Sequence, residues 1–250
     1  MTAGINERCS LALSTLAKTC QVAIHHGVQK LYILGDLYDN VGVGARIIAA
    51  TQDVLIEARA KGLEVAISTG NHDAVTGDPG DHVLGPLRFV AEVIDKPTCF
   101  VHDGADVTIV PYQPGPAAVW LRKALTEVVE SSEVGGEPQA LNILGVHLGI
   151  SHDGTPSYMQ DECSMRLETI QNLMREFGYT ALFAGHWHDF FQASKTNPLV
   201  VQLGALVPTG WDNPGIRDRG RMAILDGGNL SYIDIPGPRF IKAVGQAGFD

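Results

Sequence analysis

Four short polar clusters, in chain order, hold the residues whose types could do chemistry: residues 35–39 (GDLYD), 70–73 (GNHD), 145–149 (GVHLG) and 185–189 (GHWHD). Their side chains make a mixed donor set. Asp36 offers a carboxylate able to bridge two cations, and Asn71 a neutral carbonyl oxygen. His147, His186 and His188 add imidazole nitrogens, a combination that suits manganese, iron or zinc. Two such ions about 4 Å apart activate a bridging water and stabilise the oxygens of an in-line phosphoryl displacement. His186 and His188 are two residues apart, so an extended segment turns both one way, whereas a turn lets them grip two neighbouring ions. His72 stands between Asn71 and Asp73. A carboxylate beside an imidazole orients the ring and raises its pKa, which makes His72, with Asp73, a candidate general acid for a leaving alcohol oxygen. Asp39 is a candidate to hold a ligand through a hydrogen bond.

Taken singly, the clusters have bland explanations. GDLYD and GNHD read equally as turns, and a lone His147 reads as a satisfied core histidine. GHWHD is harder to explain structurally. What unites the four is placement: each follows an apolar run that reads as a buried strand, and in layered α/β proteins the carboxyl ends of strands open onto the ligand crevice. The other histidines read differently. His25 and His26 fall in the last turn of a helix, where cations are favoured. His82 and His102 read as surface-loop residues. His152, in the loop after His147, is a candidate for substrate contact or a solvated loop residue.

The elements that must position these residues follow from periodicity. Residues 5–26 repeat apolar side chains at helical spacing (Cys9, Leu13, Leu16, Cys20, Ile24), with Gly27 as the stop. A strand at 30–34, a helix at 45–61 and a strand at 63–69 come next, then a Gly/Asp/Pro-rich loop at 74–85. Strands at 99–101 and 106–110 form a hairpin, followed by a helix at 117–131 and an exposed loop at 133–139. A strand at 141–146 runs into His147, and a helix at 163–177 precedes a strand at 180–184. Short runs at 199–203, 221–225 and 230–235 predict an antiparallel tail. The expectation is a layered α/β fold in one domain spanning 1–250, with 237–250 as a short tail.

The chain has 250 residues, 45% hydrophobic and 18% charged, the balance of an ordinary globular protein. A net charge of −10 means that no overall basic field advertises nucleic acid, although an acidic cleft offsets a local basic track. The notable basic cluster is Arg217, Arg219, Arg221 and Arg239, whose forks match phosphate oxygens; Arg217 and Arg219 are candidate substrate contacts. Interleaved Asp212, Asp218 and Asp226 suit a solvated charged surface as well. Trp211 fits base stacking or core packing. Four cysteines without CxxC spacing, no signal-peptide pattern and no run of membrane-spanning length point to a cytoplasmic protein.

In order and type, GDxxD, GNHD, GxH and GHxH resemble the motifs of the calcineurin-like metallophosphoesterase superfamily. The resemblance implies a β-sandwich flanked by helices around a dinuclear metal site, extending to about residue 237. It implies that Asp36 bridges the ions, that Asn71, His147 and His186 complete one, that His188 belongs to the other, and that His72 is the catalytic histidine. The chain departs from the protein serine/threonine phosphatases, because Asn40 and Asp73 replace an Arg and a Glu of their motifs. The spacing, the VPYQP segment (110–114) and the GALVPTGW segment (204–211) are more similar to the SbcD-type double-strand-break-repair exonuclease branch, phage versions included. That likeness implies DNA as substrate and two divalent ions, Mn2+ first, with Fe, Zn or Mg as alternatives. Those nucleases also carry a capping domain and a segment that docks an ATPase partner, for which this length leaves little room; a stand-alone phage or prokaryotic enzyme fits better. The family's first motif, Asp-x-His at the end of a first strand, is not in the sequence. Either the true start lies upstream or the second ion's site is degenerate, and the presence of every other ligand favours truncation. The expected function is metal-dependent hydrolysis of DNA phosphodiesters, with a small phosphoester substrate or a single-metal binding scaffold as alternatives.

Overall fold

The computed structural model describes residues 5–76, 78, 80–102, 104–131, 141–195, 197–208, 220–226 and 228–238. Alternation along the strands sets the architecture. In β1 (Lys30–Leu34) and β2 (Glu64–Ser68), Leu31, Val65 and Ile67 face the helices α1 (Glu7–His25) and α2 (Ala45–Ala60), meeting Cys20, Ala23, Leu55 and Ala58. The intervening Tyr32, Leu34 and Ala66 face the other way, into a second sheet. There they meet Val107 and Ile109 of β5 (Ala105–Val110), Ile143 of β6 (Leu141–His147) and Ala181 of β9 (Ala181–Gly185). The alternate residues of those strands, Val110, Leu144, Val146, Leu182 and Ala184, pack outward on α3 (Ala117–Ser131) and α4 (Leu167–Phe177). Period-two alternation with both faces apolar requires a cover on each side. The result is four layers, helix–sheet–sheet–helix, in a mixed α/β fold.

The smaller sheet is parallel, in the order β1–β2–β3, with β3 spanning Glu92–Ile94. The larger mixed sheet runs β10 (Phe191–Ser194), β11 (Leu199–Gln202), β9, β6, β5, β4 (Thr98–His102). Two-stranded pieces complete it: β7 (Gly149–Ser151) parallel to β8 (Ser164–Arg166), and the antiparallel hairpin of β12 (Gly220–Asp226) and β13 (Asn229–Ile235). Local chemistry supports the boundaries. The Asn6 side chain caps α1 by accepting the Cys9 N–H at 2.8 Å, and Gly178 ends α4 in the left-handed conformation.

Four expectations are corrected. The helix expected over 163–177 begins at Leu167, because Ser164–Arg166 pair with β7 and tertiary pairing overrides local periodicity. The run at 199–203 is not part of an antiparallel tail alone: β11 is parallel to β9 on one edge and antiparallel to β10 on the other. His102 ends β4, its ring bonded to the Tyr32 hydroxyl at 2.5 Å. The His82 side chain is only 2% exposed and lies 3.6 Å from the Asp95 carboxylate, so it is a packed residue rather than a loop surface. Of the basic cluster, Arg221 lies in β12, paired to Asp234 at 3.0 Å and stacked over the Phe190 ring at 4.2 Å. Arg217, Arg219, Arg239 and Trp211 lie outside the described residues, as does the loop at 133–139. No helix among the described residues is long and apolar enough to cross a membrane.

Candidate metal centre

Register brings the clusters to one end of the sandwich. Leu34 is level with Ser68 across the β1–β2 pair, so Asp36 and the Gly70-Asn71 turn leave their strands side by side. Across the β6–β9 pair His147 is level with Gly185, which places His186 one residue further on. Along β6 the sandwich-facing positions are Ile143, Gly145 and His147, so alternation alone turns His147 toward the smaller sheet. Its ring crosses the seam: Nδ1 lies 2.8 Å from the Leu34 carbonyl.

A carbonyl only accepts, so His147 Nδ1 carries the hydrogen and Nε2 bears the lone pair in the neutral ring. Nε2 faces Asn71 Oδ1 at 3.0 Å and Asp36 Oδ2 at 3.2 Å. His186 Nδ1 faces the same Asn71 oxygen at 3.0 Å. Donor atoms of Asp36, His147 and His186 all lie within 4.8 Å of one another. Donor atoms thus converge on a half-buried point that could hold a cation, and two imidazoles with two oxygens suit a borderline divalent ion.

The packing also sets the charges. Burial works against ionisation of Asp36, yet the hydrogen bond and charge of His147 and the His72 N–H hold its carboxyl below the ordinary range. Burial likewise opposes a charge on His147, but the Asp36 carboxylate raises its pKa. For His186, burial and the neighbouring His147 depress the pKa to about 4. His147 and Asp36 thus favour each other's charged forms, while burial favours the neutral His186 ring, the form in which an imidazole can bind a metal.

Backbone crowding fixes the oxygen side. Gly35 has φ +83°, and a side chain there would strike His147 Nδ1. A Cβ on Gly70 would stand 2.1 Å from Asp36 Oδ1. Two of these residues, Asp36 (φ +50°) and His186 (φ +82°), hold left-handed backbone themselves, a conformation that costs a non-glycine residue about 1–3 kcal/mol and clusters at functional sites.

Around the centre, the expected residues separate. His72 is exposed; its backbone N–H donates to Asp36 Oδ1 at 2.9 Å, and its Nδ1 bonds the Asp39 carbonyl at 2.9 Å. Asp39 therefore acts through its carbonyl, on His72. Asp73 does not orient His72, as the sequence suggested. Its carboxylate is fully buried and accepts the N–H groups of Gly70 (3.0 Å) and Tyr38 (3.2 Å), tying the two oxygen-bearing loops together. Burial, partly offset by the Gly70 N–H, lifts its pKa to about 6. His188 stands outside the close group of donors; its carbonyl accepts the Ala205 N–H at 3.0 Å. Trp187 between the two histidines packs its indole on Gly149, where a Cβ would lie 2.2 Å from the ring. His152 is exposed and stacks on Phe191 at 4.6 Å.

Sequence reasoning missed three participants. Asp161 Oδ2 lies 3.7 Å from His186 Nε2, the nitrogen opposite Asn71. Tyr112 of the VPYQP segment stands edge-on to the His147 ring at 6.4 Å, with its N–H on the Thr69 carbonyl. Gln202 is buried behind His186. Tyr112 had a signal in the VPYQP segment, though not for this role; Asp161 and Gln202 carry none, since each is defined by what lies across the fold. An open cleft of about 590 Å3 between Phe190, Arg221 and the β13 residues Tyr232–Asp234 includes none of the metal-centre donors.

Solved structures with this fold include TT1561 of Thermus thermophilus, with a TM-score of 0.59 and 16% identity over 90% of this chain and 94% of that one. Phosphopantetheinyl hydrolase (PptH) from Mycobacterium tuberculosis matches with a TM-score of 0.50 and 12% identity, over 86% of this chain and 88% of that one. At such identities the likeness concerns the fold alone. No protein-family model matches the chain, and no curated protein matches it.

Proposed function

We propose that the chain is a metal-dependent hydrolase of phosphoesters. One observation carries this reading: Asp36, Asn71, His147 and His186, from the ends of two sheets, bring oxygen and nitrogen donors to one half-buried point. These four residues would hold the ion. A divalent ion there supplies Lewis acidity toward phosphoryl oxygens and a nucleophilic form of water at neutral pH. A second ion, taking Asp36 and His188 as its donors, and Mn2+ as the favoured metal, belong to the same proposal.

The chain's own residues supply the rest. His72 is anchored at both ends, its N–H on Asp36 and its Nδ1 on the Asp39 carbonyl. The Nδ1 bond fixes the tautomer and leaves Nε2 as the proton-exchanging atom, fitted to protonate a leaving alkoxide. Asp73 keeps the Asp36 and Asn71 turns in register, and Tyr112 walls the His147 side.

For the substrate, the resemblance to SbcD-type exonucleases supports DNA. A small phosphodiester or phosphomonoester is the second reading. It is favoured by the net charge of −10, unsuited to non-specific duplex binding, and by the fold shared with a phosphopantetheinyl hydrolase. The deciding assay incubates the chain with Mn2+ and either end-labelled single- and double-stranded DNA or bis-p-nitrophenyl phosphate. Shortened DNA supports the nuclease reading. Release of p-nitrophenol with intact DNA selects the small substrate, and no turnover of either sinks the hydrolase proposal.

A further inference from the structure

Gln202, at the end of β11, is the side chain whose burial nothing in the centre's chemistry yet uses. It is 1% exposed, on the helix-facing side of the large sheet with Val200, Ala184 and Ile150 as neighbours in the fold. An amide in such surroundings must satisfy two donors and an acceptor. Gln202 does so. Nε2 donates to the Ala184 carbonyl at 3.1 Å and closely to the Gly185 carbonyl, while Oε1 accepts the Ile150 N–H at 3.1 Å.

These partners are the last two residues of β9 and the middle of β7. The backbone ladder runs out there: the Leu203 N–H still reaches the Ala184 carbonyl, and past it the Gly185 carbonyl accepts the N–H of Trp187, within its own turn, at 3.2 Å. The next residue is His186, in left-handed backbone. A strained turn persists only where its surroundings over-determine it. The carboxamide holds the two carbonyls that precede the turn, and through Ile150 ties them to the strand two residues past His147.

We infer that Gln202 is a positioning residue for the metal centre: it fixes the left-handed turn that aims His186 Nδ1 at the point shared with His147 and Asn71. The inference rests on the metal-centre reading above. It makes Gln202 the carbonyl-side counterpart of Asp73, which ties the oxygen-bearing loops through their N–H groups.

The test is calorimetric titration of the full chain with Mn2+ or Zn2+, so it does not depend on turnover. Gln202→Glu keeps the shape and the acceptor for Ile150 but loses both donors and turns a carboxylate on two carbonyls. Gln202→Leu removes all three bonds. Both should weaken metal binding by about 10–100-fold, the usual cost of removing a group that orients a ligand. Leu125→Ala, a fully buried change on α3, is the control for general destabilisation: its melting temperature should fall with metal affinity unchanged. Gln202→Asn, a milder change that retains the amide on a shorter stem, should fall between parent and Gln202→Leu. Parent-like affinity in the Glu or Asn variant overturns the inference, as does an equal loss in Leu125→Ala. A parent chain that binds neither ion overturns the metal-centre reading itself, which separates the two failures.

Discussion

The two sheets furnish the centre in opposite ways. The three-stranded sheet delivers oxygens, Asp36 and Asn71, on turns beyond β1 and β2. The six-stranded sheet delivers nitrogens, His147 at a strand end and His186 just past one. On the oxygen side, carboxylates are aimed by backbone N–H donors: His72 onto Asp36, Gly70 and Tyr38 onto Asp73. On the nitrogen side, carbonyls do the aiming, Leu34 for the His147 ring and Ala184 and Gly185 for the turn at His186. For Asp36 and His147 the framework bond leaves a second atom, Oδ2 or Nε2, facing the shared point. His147 belongs to both sides, because its ring bonds one sheet while its backbone lies in the other.

Removing that crossing residue should therefore do most damage. His147→Ala takes away a ligand and leaves Asp36 and the Leu34 carbonyl without their partner. We expect hydrolysis at background, metal affinity down by more than the roughly 100-fold typical of losing a supporting group, and about 3 kcal/mol or more of lost stability by urea melts. Intact metal binding would mean that the two sheets do not share one ion. Next, His72→Ala lies on the oxygen side but ligates nothing, so metal content should persist while kcat falls about 10²–10⁴-fold. Parent-like kcat would contradict its role as proton donor.

Gly70→Ala tests the crowding. A methyl group there must push Asp36 Oδ1 away, with an expected loss of about 1–3 kcal/mol in stability and a weaker metal site by calorimetry. Unchanged affinity would show that Asp36 has room to move. The pH dependence is gentler. With His147 raised and Asp36 lowered, their pair stabilises the metal-free protein above Asp36's depressed value and loses that contribution as pH rises through His147's raised one. Metal binding runs the opposite way, since the ion must displace the His147 proton: affinity should climb by up to about tenfold per pH unit until that ring is neutral. Titrations at several pH values, in buffers of different ionisation enthalpy, read the released proton; a flat profile contradicts the protonated pair. Smallest of all is Asp161→Asn. Asp161 is half-exposed and 3.7 Å from His186, so affinity should change by no more than about fivefold, equivalent to about 1 kcal/mol.

Much of this was legible beforehand where the signal is local. β1 and the helix over residues 117–131 fall at the expected boundaries, and α1 and α2 within two residues. The helix start at 163 failed because Ser164–Arg166 are claimed by β7, a partner that periodicity does not reveal. Asp73 was misjudged for a related reason: adjacency to His72 in sequence says nothing about direction, and burial turned its carboxylate to two backbone amides. Gln202 and Asp161 carried no signal at all, being single polar residues whose partners lie far away in sequence.

By itself the sequence determined the donor types, their order and their attachment to strand ends, because apolar runs punctuated by Gly, Asp, Asn and His are local patterns. It also determined the layered α/β class, because alternation and helical periodicity are written along the chain. The resemblance already grouped Asp36, Asn71, His147 and His186 apart from His188; only the tertiary structure decided the distances at which they meet, and that Asp73 and Gln202 clamp the two sides. Those outcomes depend on strand register and on the stacking of two sheets, where a shift of one residue turns a ligand to the opposite face.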